Sequence, residues 1–233
     1  MSIVKQNPAE RLAAVQDRID SACLAANRPI SSVRLLAVSK TQPVGKIRDL
    51  ALLGQIAFGE SYVDEALEKM AKLTDCNLEW HFIGPLQSNK TRAIAAHFDW
   101  VQSVDRAKLV RRLAQQRTGR QAPLNLLIQV NLDGESQKAG CDPADIGALA
   151  GLIAEHPELR LRGLMAIPAP RESVGEQRVT FGKLRALFDQ LAERYPEIDT
   201  LSAGMSDDLE AAIAEGSGMV RVGTALFGPR PRP

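Results

Sequence analysis

Eight short apolar runs recur along this chain, at 34–39, 55–59, 78–83, 100–104, 124–131, 161–167, 200–203 and 219–224. Stretches of helix length separate them, and this alternation constrains the fold more than any other feature. Seven of the eight runs lead into an amphipathic stretch; 106–117 and 179–195 carry apolar positions three and four apart. Regular βα alternation predicts a parallel sheet with helices over its outer face. Eight such units in one chain of 233 residues predict an α/β fold, a single closed (β/α)8 TIM-type barrel, over an open doubly wound sheet. An additional N-terminal helix is expected over about 8–27, where Leu12, Val15, Ile19 and Leu24 share a face, and Pro29 interrupts it. After the eighth run, Gly228-Pro229-Arg230-Pro231-Arg232-Pro233 cannot form a helix, because proline recurs at alternate positions. The N-terminal helix is therefore expected to fill the eighth outer place. The chain reads as one domain, with the barrel over about 33–228 and a short, disordered Pro/Arg tail at 229–233.

Charge and cysteine usage exclude several functions. Lys+Arg number 29 against Asp+Glu 28, so no global field draws the chain to nucleic acid or an anionic membrane. No apolar stretch approaches the roughly 18 residues of a membrane span, and the N-terminus lacks the pattern of a secretory signal. Cys23, Cys76 and Cys141 are odd in number and scattered, which suggests a reducing compartment. His81, His97 and His156 show no metal-ligand spacing, so no metal is assigned. The expectation is a soluble cytoplasmic protein.

In such barrels chemistry sits at the C-terminal ends of the strands. There the pattern gathers Lys40, residues 60–62, the 84–89 loop, Asn131, Met165, residues 202–206 and 223–224. Lys40 ends the run Leu35-Leu36-Ala37-Val38-Ser39. Burial favours the neutral amine, which can condense with an aldehyde; a solvated lysine cap is the other reading. Ser202-Ala203-Gly204-Met205-Ser206 and Arg221-Val222-Gly223-Thr224 are small-residue turns. They can be simple turns, or their backbone amides and the hydroxyls of Ser202 and Thr224 can cradle a phosphate. A phosphorylated aldehyde that meets both needs is pyridoxal 5'-phosphate. Arg221 is expected to point into the mouth, either to pair with a carboxylate or to donate to a pyridine nitrogen. Glu60, Asp64 and Glu65 read as helix N-terminal acids, and Trp80, His81 and Phe82 as core and barrel lining. The basic residues of 106–112 read as a solvated helix face.

Longer motifs carry a resemblance. They are Ala37-Val38-Ser39-Lys40, Phe58-Gly59-Glu60-Ser61-Tyr62, and His81-Phe82-Ile83-Gly84-Pro85-Leu86-Gln87-Ser88-Asn89-Lys90. Gln129-Val130-Asn131, Gly163-Leu164-Met165, Gly204-Met205-Ser206-Asp207-Asp208 and Arg221-Val222-Gly223-Thr224-Ala225-Leu226-Phe227-Gly228 follow in order. From about Leu12 to Gly228 the chain resembles the pyridoxal phosphate homeostasis proteins, relatives of the barrel domain of alanine racemase. The resemblance implies that Lys40 holds the cofactor as a Schiff base. It also implies that Ser202, Gly223 and Thr224, with Met205 and Ser206 nearby, cup the phosphate, and that Arg221 faces the pyridine nitrogen. Ser61, Asn131 and Met165 complete the implied binding set. Ser61 stands where the family usually has asparagine, and Ala203 where methionine is common; a hydroxyl reaches less far than an amide.

The implied role is to buffer or deliver pyridoxal 5'-phosphate in vitamin B6 homeostasis, as monomer or homodimer, with apo forms of enzymes that use it as partners. No robust catalysis is expected, since a racemase needs an acid/base group on each face of the substrate carbon and no second domain is seen to supply one. Lys90 and Lys138 are secondary attachment candidates. The alternatives are a narrow racemase or lyase using the same cofactor, a cofactor-free Schiff-base aldolase, and an interaction protein that reports vitamin status.

Overall fold

The computed structural model describes residues 7–117, 122–134 and 139–228. Its strands are β1 (Arg34–Val38), β2 (Ala57–Glu60), β3 (Glu79–Phe82), β4 (Trp100–Val104), β5 (Leu124–Gln129), β6 (Leu159–Met165), β7 (Thr200–Ser202) and β8 (Met219–Val222). They pair in parallel in chain order, and β8 returns to β1 through Leu36↔Arg221 and Ala37↔Val222 to close the barrel. The helices between them are α2 (Val44–Leu52), α3 (Val63–Ala71), α4 (Thr91–His97), α5 (Ala107–Gln116), α6 (Ile146–Ala154), α7 (Val174–Ala192) and α8 (Leu209–Ala214). The expected barrel is the observed one. Three runs end two residues earlier than their apolar length suggests, among them β6, which stops at Met165. β5 stops at Gln129 because Asn131 N–H donates to the Cys141 carbonyl, and β8 stops at Val222 before Gly223.

The N-terminal helix α1 (Pro8–Ala25) starts sharply. Pro8 occupies its first turn, and Asn7 and Glu10 form a reciprocal capping box. It ends near Asn27, which takes a left-handed φ of 53°. Val15, Ile19, Ala22 and Cys23 are its buried face. α1 packs against α8, against α2, and against a one-turn helix α9 (Thr224–Phe227). It thus fills the outer sector that no full-length helix after β8 could cover. Pro229–Pro233, the expected disordered tail, lies outside the described residues.

Alternation along each strand sorts side chains into two cores. Ala37, Phe58, Trp80, Phe82, Val101, Leu126, Leu201 and Val220 belong to the large shell between barrel and helices. Inside the barrel lie Leu36, Ala57 and Met219, and a second group, Trp100, Leu127 and Met165. Burying each large apolar side chain stabilises by about 1.5–3 kcal/mol, so the shell carries the fold. Between these groups and the mouth the interior also holds buried polar side chains, among them His81, Gln102, Ser202 and Arg221.

Candidate functional site

Lys40 sits in the turn directly after β1 and is half-buried. Leu36 lies within the barrel and Ala37 in the outer shell, so alternation continues Val38 and Lys40 on the inner side. Helix α3 pins the backbone on both sides of it. Lys69 Nζ donates to the Ser39 carbonyl at 2.8 Å, and Thr41 N–H donates to Glu65 Oε1 at 2.6 Å. Thr41 has φ 62°, a left-handed conformation that strains a β-branched residue by an order of 1–2 kcal/mol. The Glu65 bond holds it there.

Beneath this turn is a buried ion cluster. Lys69, only 5% exposed at its side chain, reaches Glu60 Oε1 at 2.7 Å and Glu65 Oε1 at 2.6 Å. Glu60 is fully buried at the end of β2 and also accepts from Ser39 Oγ at 2.6 Å. Burial pushes its carboxyl up from the usual range, opposed by Lys69 and by the Ser39 hydroxyl. Glu60 is therefore an interior ion-pair member, not a helix-end acid. The expectation holds for Asp64 and Glu65, which do occupy the first turn of α3.

Arg221 is 4% exposed and points inward from β8. Its Nη1 donates to Ser202 Oγ at 2.7 Å and its Nη2 to the Ala166 carbonyl at 2.8 Å. Among the described residues no carboxylate forms an ion pair with it, although the charge of Asp208 acts on it at longer range. Burial lowers it to about 10, which leaves it cationic at neutral pH. A guanidinium has five N–H donors, so Arg221 has the capacity to take a further acceptor beside these two neutral partners.

The other sequence-derived residues ring the same mouth at different depths. Met165 ends β6 fully buried, stacked into the interior with Trp100 and Leu127. Ser61 and Asn131 are half-buried in the loops after β2 and β5. A side chain at Gly84 would lie 2.3 Å from the Ser61 carbonyl, so only glycine lets the β3–α4 loop press onto that backbone. Gly204 takes φ 93°, and turns the chain after β7 toward Met205 and Ser206. Met205 is exposed, and its N–H donates to Asp208 Oδ1 at 2.6 Å. Ser206 is half-buried, and its carbonyl accepts from Arg18 of α1. Gly223 is half-buried, and Thr224 opens α9 exposed. Ser202 differs: it is fully buried, accepts from Arg221 and gives its single O–H to Gln102 Oε1 at 2.8 Å. Lys90 lies on the rim, bound to both oxygens of Asp64 at 2.8 Å. Lys138 lies outside the described residues.

Sequence reasoning missed Gln102, Glu79 and Lys69, and with them the contact of Glu65 to the Lys40 turn. His81 was read as lining, and it does face the interior, stacked on Trp100 at 5.1 Å. The signal was present: Glu79 and His81 alternate with Trp80 and Phe82, which places two polar groups on the inner face of a buried strand.

Comparison with known proteins adds an independent finding. Residues 11–231 match the family model described as the alanine racemase N-terminal domain. The chain is 54% identical over 222 residues to the pyridoxal phosphate homeostasis protein of Pseudomonas aeruginosa, covering 95% of each chain. It is 52% identical over 220 residues to that of Haemophilus influenzae, covering 93% of each. Among solved structures it is similar to PipY of Synechococcus elongatus with PLP bound, at 39% identity and a TM-score of 0.82, covering 95% of this chain and all of that one.

Proposed function

The chain belongs to the pyridoxal phosphate homeostasis protein family, and from that premise we propose that it holds pyridoxal 5'-phosphate on Lys40 and buffers or delivers it. One observation carries the reading: Arg221 is a buried cation whose hydrogen-bond partners, the Ser202 hydroxyl and the Ala166 carbonyl, are both neutral. The donor set fits the cofactor's chemistry. Arg221 would donate to the ring nitrogen, Lys40 would supply the amine, and Ser206, Gly223 and Thr224 would offer hydroxyls and backbone N–H groups to the phosphate. Met205, Met165, Ser61 and Asn131 would complete the binding set, Met165 from the buried end of β6 and the others from the loops around the mouth. Ser202 braces Arg221 from below, because its O–H is committed to Gln102.

When bound, the cofactor supplies an aldehyde for amines and a ring that draws electrons from the attached carbon. Arg221 restrains the second property. A guanidinium keeps its proton, so Arg221 would donate a hydrogen bond without protonating the ring, which would leave the ring a weak electron sink. That favours a carrier over a racemase or lyase. Lys40 lies between two clamped backbone groups, the Ser39 carbonyl and the Thr41 N–H. The recipients we propose are apo forms of enzymes that use the cofactor, in the cytoplasm, with the carrier a monomer or a homodimer. Among the described residues no helix is long and apolar enough to cross a membrane.

The test is the visible absorbance of the purified protein with pyridoxal 5'-phosphate, before and after borohydride reduction, beside Lys40→Ala. A yellow protein whose reduced adduct maps to Lys40 supports the reading. A colourless protein that behaves like Lys40→Ala overturns it. Proton exchange at the α-carbon of a panel of amino acids separates carrier from catalyst: turnover would refute the carrier.

A further inference from the structure

A continuous line of hydrogen bonds crosses the barrel interior from its N-terminal rim to the mouth. Arg221 Nη1 meets Ser202 Oγ at 2.7 Å, and Ser202 Oγ meets Gln102 Oε1 at 2.8 Å. Gln102 Nε2 meets His81 Nδ1 at 2.9 Å, and His81 Nε2 meets Glu79 Oε1 at 2.7 Å. Arg34, the first residue of β1, closes the far end on Glu79 at 2.7 Å. Arg221, Ser202, Gln102 and His81 are all buried, and only the Arg34–Glu79 end meets solvent.

The two ends dictate the direction of every bond between them. A guanidinium can only donate, so Ser202 accepts from Arg221 and spends its one O–H on Gln102. Gln102 must therefore present its carbonyl to Ser202 and its amide N–H to His81. His81 then accepts at Nδ1 and carries its proton at Nε2, which donates to Glu79, a carboxylate at the rim. Reversing Gln102 would leave the Ser202 hydroxyl hydrogen without an acceptor and require a proton at Nδ1 as well. One arrangement satisfies all five residues, and aligned dipoles strengthen each other along it. Gln102 has its second N–H on Met219 Sδ at 3.2 Å, so its rotamer is held from two sides.

Barrel interiors of this kind are ordinarily filled by branched apolar side chains. Replacing a satisfied buried polar group by a well-packed apolar one is often neutral for stability, so a five-residue polar line is not explained by stability alone. We propose that Gln102 and His81 are positioning residues which, through Ser202, hold the Arg221 guanidinium in the orientation the cofactor ring requires. The extension to the cofactor rests on the functional reading above; the holding of Arg221 does not.

The experiment compares wild type with Gln102→Leu, Gln102→Glu and His81→Phe, which keeps the stack on Trp100. Without cofactor, nitrogen NMR reads the His81 tautomer and the rotation rate of the Arg221 guanidinium. The expected result is an Nε2–H tautomer and slow rotation in wild type, with faster rotation in whichever variants fold. Gln102→Glu keeps the volume and the acceptor for Ser202 but cannot donate to His81, so it tests the direction of the line. With pyridoxal 5'-phosphate, the variants are expected to bind about tenfold more weakly and to shift the visible band, while borohydride still traps Lys40. An Nδ1–H tautomer, or an Arg221 rotation rate unchanged in folded variants, overturns the proposal. A wild type that takes up no cofactor overturns the functional reading instead, and the two NMR measurements still decide the role of Gln102 and His81.

Discussion

Lys69→Met is the perturbation whose cost the structure defines best. The ammonium makes three short contacts, to Ser39 carbonyl, Glu60 and Glu65, and its side chain is 5% exposed. Its main partner, Glu60, is fully buried, with one oxygen that has no other hydrogen bond. Removing one member of a buried pair typically costs ~3–5 kcal/mol, because the other charge is left behind. For a chain of this length that corresponds to a melting temperature lower by roughly 6–20 °C. The double variant Glu60→Gln/Lys69→Met removes both charges, and its amide carbonyl can still accept from Ser39. It should recover at least about 1 kcal/mol of that loss, the coupling expected of contacting residues. The pH dependence adds a second signature. Burial already raises Glu60 above its unfolded value of 4.5, and losing Lys69 removes the strongest opposing influence. The folded variant then holds a proton that the unfolded chain lacks, so its stability falls as pH rises through that window. The deficit of Lys69→Met relative to wild type should be largest at neutral pH and shrink toward pH 4.5. Urea unfolding of the two single variants and the double variant across pH 5–8 measures all of this. Single costs below about 1 kcal/mol, or costs that simply add, would refute the claim that this cluster holds the Lys40 turn.

Gly204→Ala places a Cβ 2.7 Å from the Ala212 side chain, at a φ of 93° that alanine resists. A loss of about 2–4 kcal/mol in chemical denaturation is expected, with weaker phosphate binding as the 205–208 turn shifts. Burial lowers His81 below its usual 6.5, against the pull of Glu79. Burial would raise Glu79, but the hydrogen bond from His81, together with the charge and hydrogen bond of Arg34, outweighs it and brings it to about 2. Both groups bind fewer protons folded than unfolded, so stability should fall as pH drops below 6.5 and again below 4.5. The slope is at most about 1.4 kcal/mol per pH unit per proton. His81→Phe should flatten the upper part of that curve; an unchanged curve would show that His81 does not contribute. Thr41→Pro loses the N–H bonded to Glu65 and cannot adopt the observed φ, so slower attachment of the cofactor aldehyde to Lys40 is expected in a stopped-flow absorbance assay.

The barrel was legible in the chain because its signal is local. Each strand is a short apolar run and each helix an amphipathic one, and these periods survive without knowledge of any partner. Lys40 and Arg221 could be placed for the same reason: both belong to strands or strand ends whose inner face follows from alternation. The N-terminal helix also had to go where a helix was missing, since an uncovered sector would expose the outer face of the sheet. What holds those two residues is not local. The line from Glu79 to Arg221 joins residues from four strands, and only barrel closure brings β3 and β4 against β7 and β8 across the interior. Nothing local distinguishes Lys69 from its charged neighbours, and the packing of α3 onto β1 and β2 makes it a buried clamp. Local periodicity sets which face of an element is apolar. Which polar groups then meet in the space enclosed by those faces depends on register and closure, and those are properties of the whole sheet.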